Sequence, residues 1–182
     1  NLIRQCQRNS MSLIFVLNKI DRLILELKLP PMDAYLKLTH VVDQINRFTK
    51  GCRFYPQLGN VLFASSKLGF TFTIKEFVNY YYKSTVANSE IDGFIQRLWG
   101  DIYYNAGSFS TGPADASNKN PTFVEFILLP LYKIVTHTLS NDRRGLQEVL
   151  RINFSLLLDA EHLKYDHLTL LKFVMKQVLR SQ

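Results

Sequence analysis

Leu13–Leu17 is a run of five apolar residues, LIFVL, bounded by Ser12 on one side and by Asn18-Lys19-Ile20-Asp21 on the other. It is too short for a core helix, and apolarity without alternation predicts a strand covered on both faces of a sheet. A second run, Val61-Leu62-Phe63-Ala64, follows the turn-like Gly59-Asn60 and precedes Ser65-Ser66. Between the two, Leu38, Val41, Val42, Ile45 and Phe48 recur at helical spacing, with Pro31 near the start and Gly51 placed to stop the helix. Strand, helix, strand demands a parallel crossover, which makes the fold class α/β.

The remainder of the chain reads as helical. Ile74, Phe77, Val78 and Tyr81 form one apolar stripe, Phe94, Ile95, Leu98 and Ile102 a second, and Phe123, Phe126, Ile127, Leu131, Ile134 and Val135 a third. The third stripe contains Pro130, which predicts a kink or a break. Tyr103–Pro121 predicts a short hairpin followed by a mobile loop rich in glycine, serine, asparagine and proline. Leu146, Val149 and Leu150 suggest a short helix, and Leu171, Val174, Met175 and Val178 a terminal one.

With 182 residues, 47% hydrophobic and 20% charged, the chain can bury a real core. No apolar run approaches the roughly 20 residues needed to cross a bilayer, so no membrane partner is expected. The opening NLIRQCQRNS has neither an initiator methionine nor the apolar stretch of a signal peptide, which predicts a segment that begins inside a longer protein. The net charge of +7 is scattered, apart from Arg143-Arg144, and reads as a solvated surface. Cys6 and Cys52 have no metal-binding spacing, which suits a reducing compartment.

In a parallel sheet, ligands bind beyond the carboxyl ends of the strands, where Asn18–Asp21 would lie. A carboxylate held there accepts two hydrogen bonds from a flat donor pair, and guanine offers one on N1 and its exocyclic amine. Adenine presents an acceptor at N1 instead, so it would face the carboxylate lone pairs. Asp21 is the candidate base reader. Asn18 suits the N7 edge of a purine and could tie neighbouring loops together, while the stem of Lys19 could cover the ring face. Backbone amides in the small-residue turn Ala64-Ser65-Ser66 could reach a guanine carbonyl. The competing reading of Asn-Lys-Ile-Asp alone is a polar strand end with Asp21 capping the next helix.

NKID followed by a strand-end ASS resembles the fourth and fifth guanine-nucleotide motifs of the translational GTPase superfamily. NVLFASSKLGFTFTIKEF and RLWGD, Arg97–Asp101, resemble segments of elongation factor 2. Asp21–Leu38 and Pro121–Ile134 look most like the elongation-factor-2-like GTPase family of the spliceosome, a small nuclear ribonucleoprotein component. The resemblance implies the C-terminal half of a P-loop GTPase-type core over residues 1–68, then a mainly helical inserted subdomain over 69–182 whose last helix returns toward the core. It implies GTP or GDP as ligand, with magnesium held by residues outside this chain, and guanine contacts from Asn18, Lys19, Asp21, Ser65 and Ser66. Ser66 stands where relatives carry glycine or alanine.

The same resemblance implies a nuclear switch protein of pre-mRNA splicing. Its expected partners are the large scaffold protein of the spliceosome's catalytic core, an RNA-unwinding helicase and small nuclear RNA. The chain has no G-x-x-x-x-G-K-[ST] loop and no Asp-x-x-Gly segment to place magnesium and water, so no catalytic residue is assigned and hydrolysis by these residues alone is not expected. A ribosomal translocase of the elongation factor 2 type and a protein-interaction module with a vestigial pocket remain alternatives. His162 and His167 are five apart, which is wrong for one helix face and a metal. Tyr80-Tyr81-Tyr82 with Lys83 suits either RNA stacking or a half-buried helix, and Trp99 a core anchor.

Overall fold

The computed structural model describes residues 2–49, 53–82, 85–105, 107–112 and 120–179. Gly51, Cys52, Lys83 and the middle of the loop before Pro121 lie outside them, so the helix stop, the second cysteine, the basic end of the tyrosine cluster and most of the expected loop do too.

A short helix α1 (Leu2–Arg8) leads to strand β1 (Phe15–Leu17), helix α2 (Asp21–Leu25) and helix α3 (Pro31–Phe48). A short 3-10 turn, Pro56–Leu58, then enters β2 (Val61–Ser65). β1 pairs with β2 in parallel, Phe15 opposite Val61 and Leu17 opposite Phe63, as a crossover through α3 requires. The expected two-faced burial of β1 is not observed: Ile14 is 64% and Val16 48% exposed, whereas Leu17 is buried. β1 is the edge strand of a sheet ordered β1-β2-β3, and only its Phe15/Leu17 face packs into the core.

A third strand was not legible as such. β3 (Phe70–Phe72) turns back antiparallel on β2, with Phe63 opposite Phe72 and their rings 5.3 Å apart. Gly69, with φ +71, makes the reversal. The sheet is therefore mixed, with one parallel pair, β1–β2, and one antiparallel pair, β2–β3. In α3 the buried face is Ala34, Tyr35, Leu38, Val42 and Asn46, while Phe48, assigned to the stripe, is 77% exposed. Asn46 points inward because its amide replaces a backbone partner: Nδ2 donates to the Phe54 carbonyl and Oδ1 accepts the Phe54 N–H, both at 2.8 Å.

The helical stripes form where expected, with adjustments. α4 (Ile74–Tyr81) starts in a reciprocal cap in which the Thr73 hydroxyl accepts the Glu76 N–H and the Glu76 carboxylate accepts the Thr73 N–H. α5 (Ile91–Gln96) is shorter than its stripe, because Ile102 belongs to the hairpin β4 (Ile102–Asn105) and β5 (Ser108–Thr111). No break occurs at Pro130. A π turn, Val124–Leu128, runs directly into α6 (Leu129–Leu139), and Tyr82 donates its hydroxyl to the Phe126 carbonyl at 3.2 Å. Pro130 has no N–H to give that carbonyl, so the tyrosine serves it. α7 (Arg143–Phe154) and α8 (His167–Leu179) complete the chain.

One cluster joins the strand half to the helical half. Phe63 lies within 5.9 Å, ring to ring, of Phe72, Trp99 and Phe123, and Trp99 meets Tyr35 and Phe123 edge-on at 5.2 and 4.9 Å. The Tyr35 hydroxyl donates to the Gly100 carbonyl and accepts the Gly100 N–H, each at 2.9 Å, which fixes the RLWGD turn against α3.

Burial is the main reason that Tyr35, Tyr82 and Tyr132 ionise only at about 12. Exposed in an unfolded chain they ionise near ~10. The folded state holds these protons more tightly, so the stability they contribute is intact below about pH 10 and is lost as the pH rises toward 12. Alkaline titration followed by tyrosinate absorbance and helical circular dichroism should show these three ionising together with unfolding. Ionisation of all nine tyrosines near pH ~10 with the helical signal intact would contradict this burial.

Candidate guanine-recognition site

The carboxyl ends of β1 and β2 lie side by side, and the polar residues that follow each strand bond across the gap. Lys19 adopts a left-handed backbone, φ +64, at a cost of roughly 1 kcal/mol for a residue with a side chain. The Asn18 Oδ1 accepts the Lys19 N–H at 2.7 Å and holds that turn. The chain then doubles toward β2, where the Ile20 N–H reaches the Ala64 carbonyl at 3.1 Å. Asp21 consequently begins α2 right beside the end of β2.

Asp21 is 4% exposed, and its Oδ1 accepts the Ser65 hydroxyl at 2.6 Å. Ser65 is fully buried, and its oxygen in turn accepts the Leu68 N–H at 3.1 Å. A buried carboxylate requires such donors, because leaving it unpaired costs several kcal/mol. A carboxylate offers about four lone-pair sites, so this one bond leaves acceptor capacity on Asp21. The Ser65 hydroxyl thereby braces the carboxylate from below.

Asn18 and Ser66 form a second clasp. Asn18 Nδ2 lies 2.8 Å from the Ser66 Oγ, while Oδ1 lies 3.0 Å from the same hydroxyl and 3.3 Å from the Ser66 N–H. Both residues are exposed, unlike the Asp21–Ser65 pair beneath them. The expected tying of the two loops by Asn18 is made through the Ser66 side chain, which an alanine or glycine could not supply.

Lys19, Asp21 and Ser66 line an open cavity of about 490 Å³ together with Arg22, Glu26 and Lys67, a volume in the range of small-ligand sites. The last three were not singled out from the sequence. Lys67 directly follows Ser66, and Arg22 and Glu26 stand at i,i+4 on the helix that Asp21 opens, where they form a 2.5 Å ion pair. Lys19 and Lys67 bring two aliphatic stems and two cations to a cavity with a buried anion.

The other sequence candidates lie elsewhere. Tyr81 and Tyr82 donate their hydroxyls to the Val178 and Phe126 carbonyls, so the tyrosine cluster is mainly a packing element. His137 pairs with Asp142, which caps α7; His162 stacks on Phe173, and His167 lies 2.9 Å from the Thr138 carbonyl. Arg143 donates to the Tyr165 carbonyl. No three His, Cys, Asp or Glu side chains among the described residues are grouped to hold a metal ion.

No family model matches the chain. It is 54% identical over 181 residues to pre-mRNA-splicing factor SNU114 of Saccharomyces cerevisiae, covering 100% of this chain and 18% of that protein. Its homologues are splicing factors. Pre-mRNA-splicing factor cwf10 of Schizosaccharomyces pombe is 39% identical over 181 residues, covering 95% of the chain and 18% of its own length. The 110 kDa U5 small nuclear ribonucleoprotein component CLO of Arabidopsis thaliana is 37% identical over 158 residues, 81% of the chain and 16% of its own length. The chain thus spans less than a fifth of these relatives. The SNU114 match takes in the strand ends, the cavity and the helical half alike.

Replacing Ser65 with alanine removes a hydrogen bond to a buried anion and orphans the Leu68 N–H. Ser65→Ala should destabilise the fold by about 2 kcal/mol, read as a lower urea midpoint with an unchanged slope. A loss below about 0.5 kcal/mol would show that the bond is not needed to bury Asp21.

Proposed function

We propose that this chain supplies the base-recognising part of a guanine-nucleotide site in a spliceosomal GTPase of the elongation-factor-2-like kind. The observation that carries this reading is the buried Asp21 carboxylate, braced by Ser65 and lining a cavity between two lysines at the ends of adjacent parallel strands. In the proposed complex Asp21 accepts hydrogen bonds from guanine N1 and its exocyclic amine, Asn18 and the Ser66 turn hold the loops around the base, and the Lys19 stem covers one face. Residues 1–68 then belong to the GTP-binding core and 69–182 to an inserted, mainly helical subdomain. The chain contains no phosphate-binding loop, so base selection is the part of the chemistry assigned to it. The rest of the GTP or GDP and its magnesium fall to other residues of the full-length protein.

Splicing is the process this reading favours, because the SNU114 and cwf10 relatives are splicing factors and CLO is a U5 small nuclear ribonucleoprotein component. A nuclear switch follows, in which bound nucleotide biases contacts with the scaffold protein of the catalytic core, a helicase and small nuclear RNA. The test is binding of GDP against ADP to the full-length protein. Guanine should be preferred by about 10⁴-fold, as for other sites that leave a buried polar group unpaired with the wrong ligand. Asp21→Asn should weaken GDP by roughly a hundredfold or more, the loss of two charge-assisted bonds. Equal affinity for GDP and ADP in the unaltered protein would overturn the assignment.

A further inference from the structure

Asp21 opens a helix of only five residues, Asp21–Leu25, with no side-chain cap at its start. A helix this short has no stability of its own, so whatever packs against α2 sets where the carboxylate points. Its inward residues Ile20, Leu23 and Ile24 border a small apolar cavity of about 20 Å³, closed on the far side by Leu131 and Tyr132 of α6 and Met175 of α8. The segment after α2 folds back on itself: the Leu27 N–H bonds the Arg22 carbonyl at 2.8 Å and the Leu29 N–H the Leu23 carbonyl at 2.9 Å. The return ends at Leu29, whose carbonyl accepts the Tyr132 hydroxyl at 3.0 Å from 103 residues further along the chain.

The base-reading helix is thus held at both ends, by Ser65 from the sheet and by Tyr132 from the helical half. We infer that Tyr132 is a positioning residue for guanine selection, through which the α6–α8 face sets the orientation of Asp21. This rests on the guanine reading above. Tyr132 touches no base; it acts by closing the turn that fixes α2. A shift of α6 would be transmitted to Asp21 and, by reciprocity, nucleotide bound at Asp21 would favour one placement of α6.

The test uses full-length protein and compares GDP with inosine diphosphate, which lacks the exocyclic amine and reports only part of the Asp21 interaction. Tyr132→Phe keeps the ring in the core and removes the bond to Leu29. The ratio of GDP to inosine diphosphate affinity should fall about three- to tenfold, the scale of one misaligned hydrogen bond, with the melting temperature recorded to verify folding. Gln147→Leu is the control, since it removes side-chain bonds to the Leu158 backbone in the same helical half without touching Leu29 or the turn that leads into α6, and it should leave the ratio unchanged. An unaltered ratio in Tyr132→Phe, or an equal fall in both variants, would overturn the positioning role. A protein that does not distinguish GDP from ADP before any substitution would instead overturn the guanine reading itself.

Discussion

The hydrogen bond from Ser65 to Asp21 joins the ends of two strands whose pairing runs through α3 and 44 residues of sequence. A carboxylate taken from water costs several kcal/mol unless donors replace the lost solvation. Here the donor is itself a buried hydroxyl, satisfied in turn by the Leu68 N–H. Anion, hydroxyl and amide form a chain in which each member depends on the next. The position of α2, the path of the Ser66–Leu68 turn and the floor of the cavity all follow from keeping that chain intact.

Beneath it, the aromatic cluster supplies a stiff base. Phe63 precedes Ala64 and Ser65 on the same strand and is locked among Phe72, Trp99 and Phe123. Close-packed rings leave little freedom for β2 to slide, so Ser65 arrives at Asp21 from a fixed origin. Trp99, expected as a core anchor, bridges the helical half to α3 and β2 through Tyr35 and Phe63.

Much of this was legible in local pattern. The parallel crossover followed from two apolar runs separated by a helical stripe, and the later helices from their own periodicity. What local pattern could not show was the company each element keeps. LIFVL reads as doubly buried, whereas among the described residues β1 pairs only with β2 and Val16 is open. Phe70-Thr71-Phe72 is too short to stand out as a strand, and only Gly69 hints at the reversal. At the site, Asn18, Asp21, Ser65 and Ser66 were named from the strand ends, but the sequence grouped them as equals. The structure separates a buried pair that braces from an exposed pair that clasps, a distinction set by burial in three dimensions. Lys67 and the Arg22–Glu26 pair went unremarked because lysines and i,i+4 ion pairs are ordinary on any surface.

The bond from Tyr82 to the Phe126 carbonyl makes one turn of a helix dependent on a residue 44 positions earlier. Most substitutions leave a backbone hydrogen bond in place, proline excepted, whereas one supplied by a side chain goes with that side chain. Pro130 and Tyr82 are therefore energetically coupled: removing the Tyr82 hydroxyl costs less in a chain whose residue 130 carries an N–H. A substitution at either position thus changes the free-energy cost of a substitution at the other, although the two residues are 48 positions apart and share no covalent neighbour.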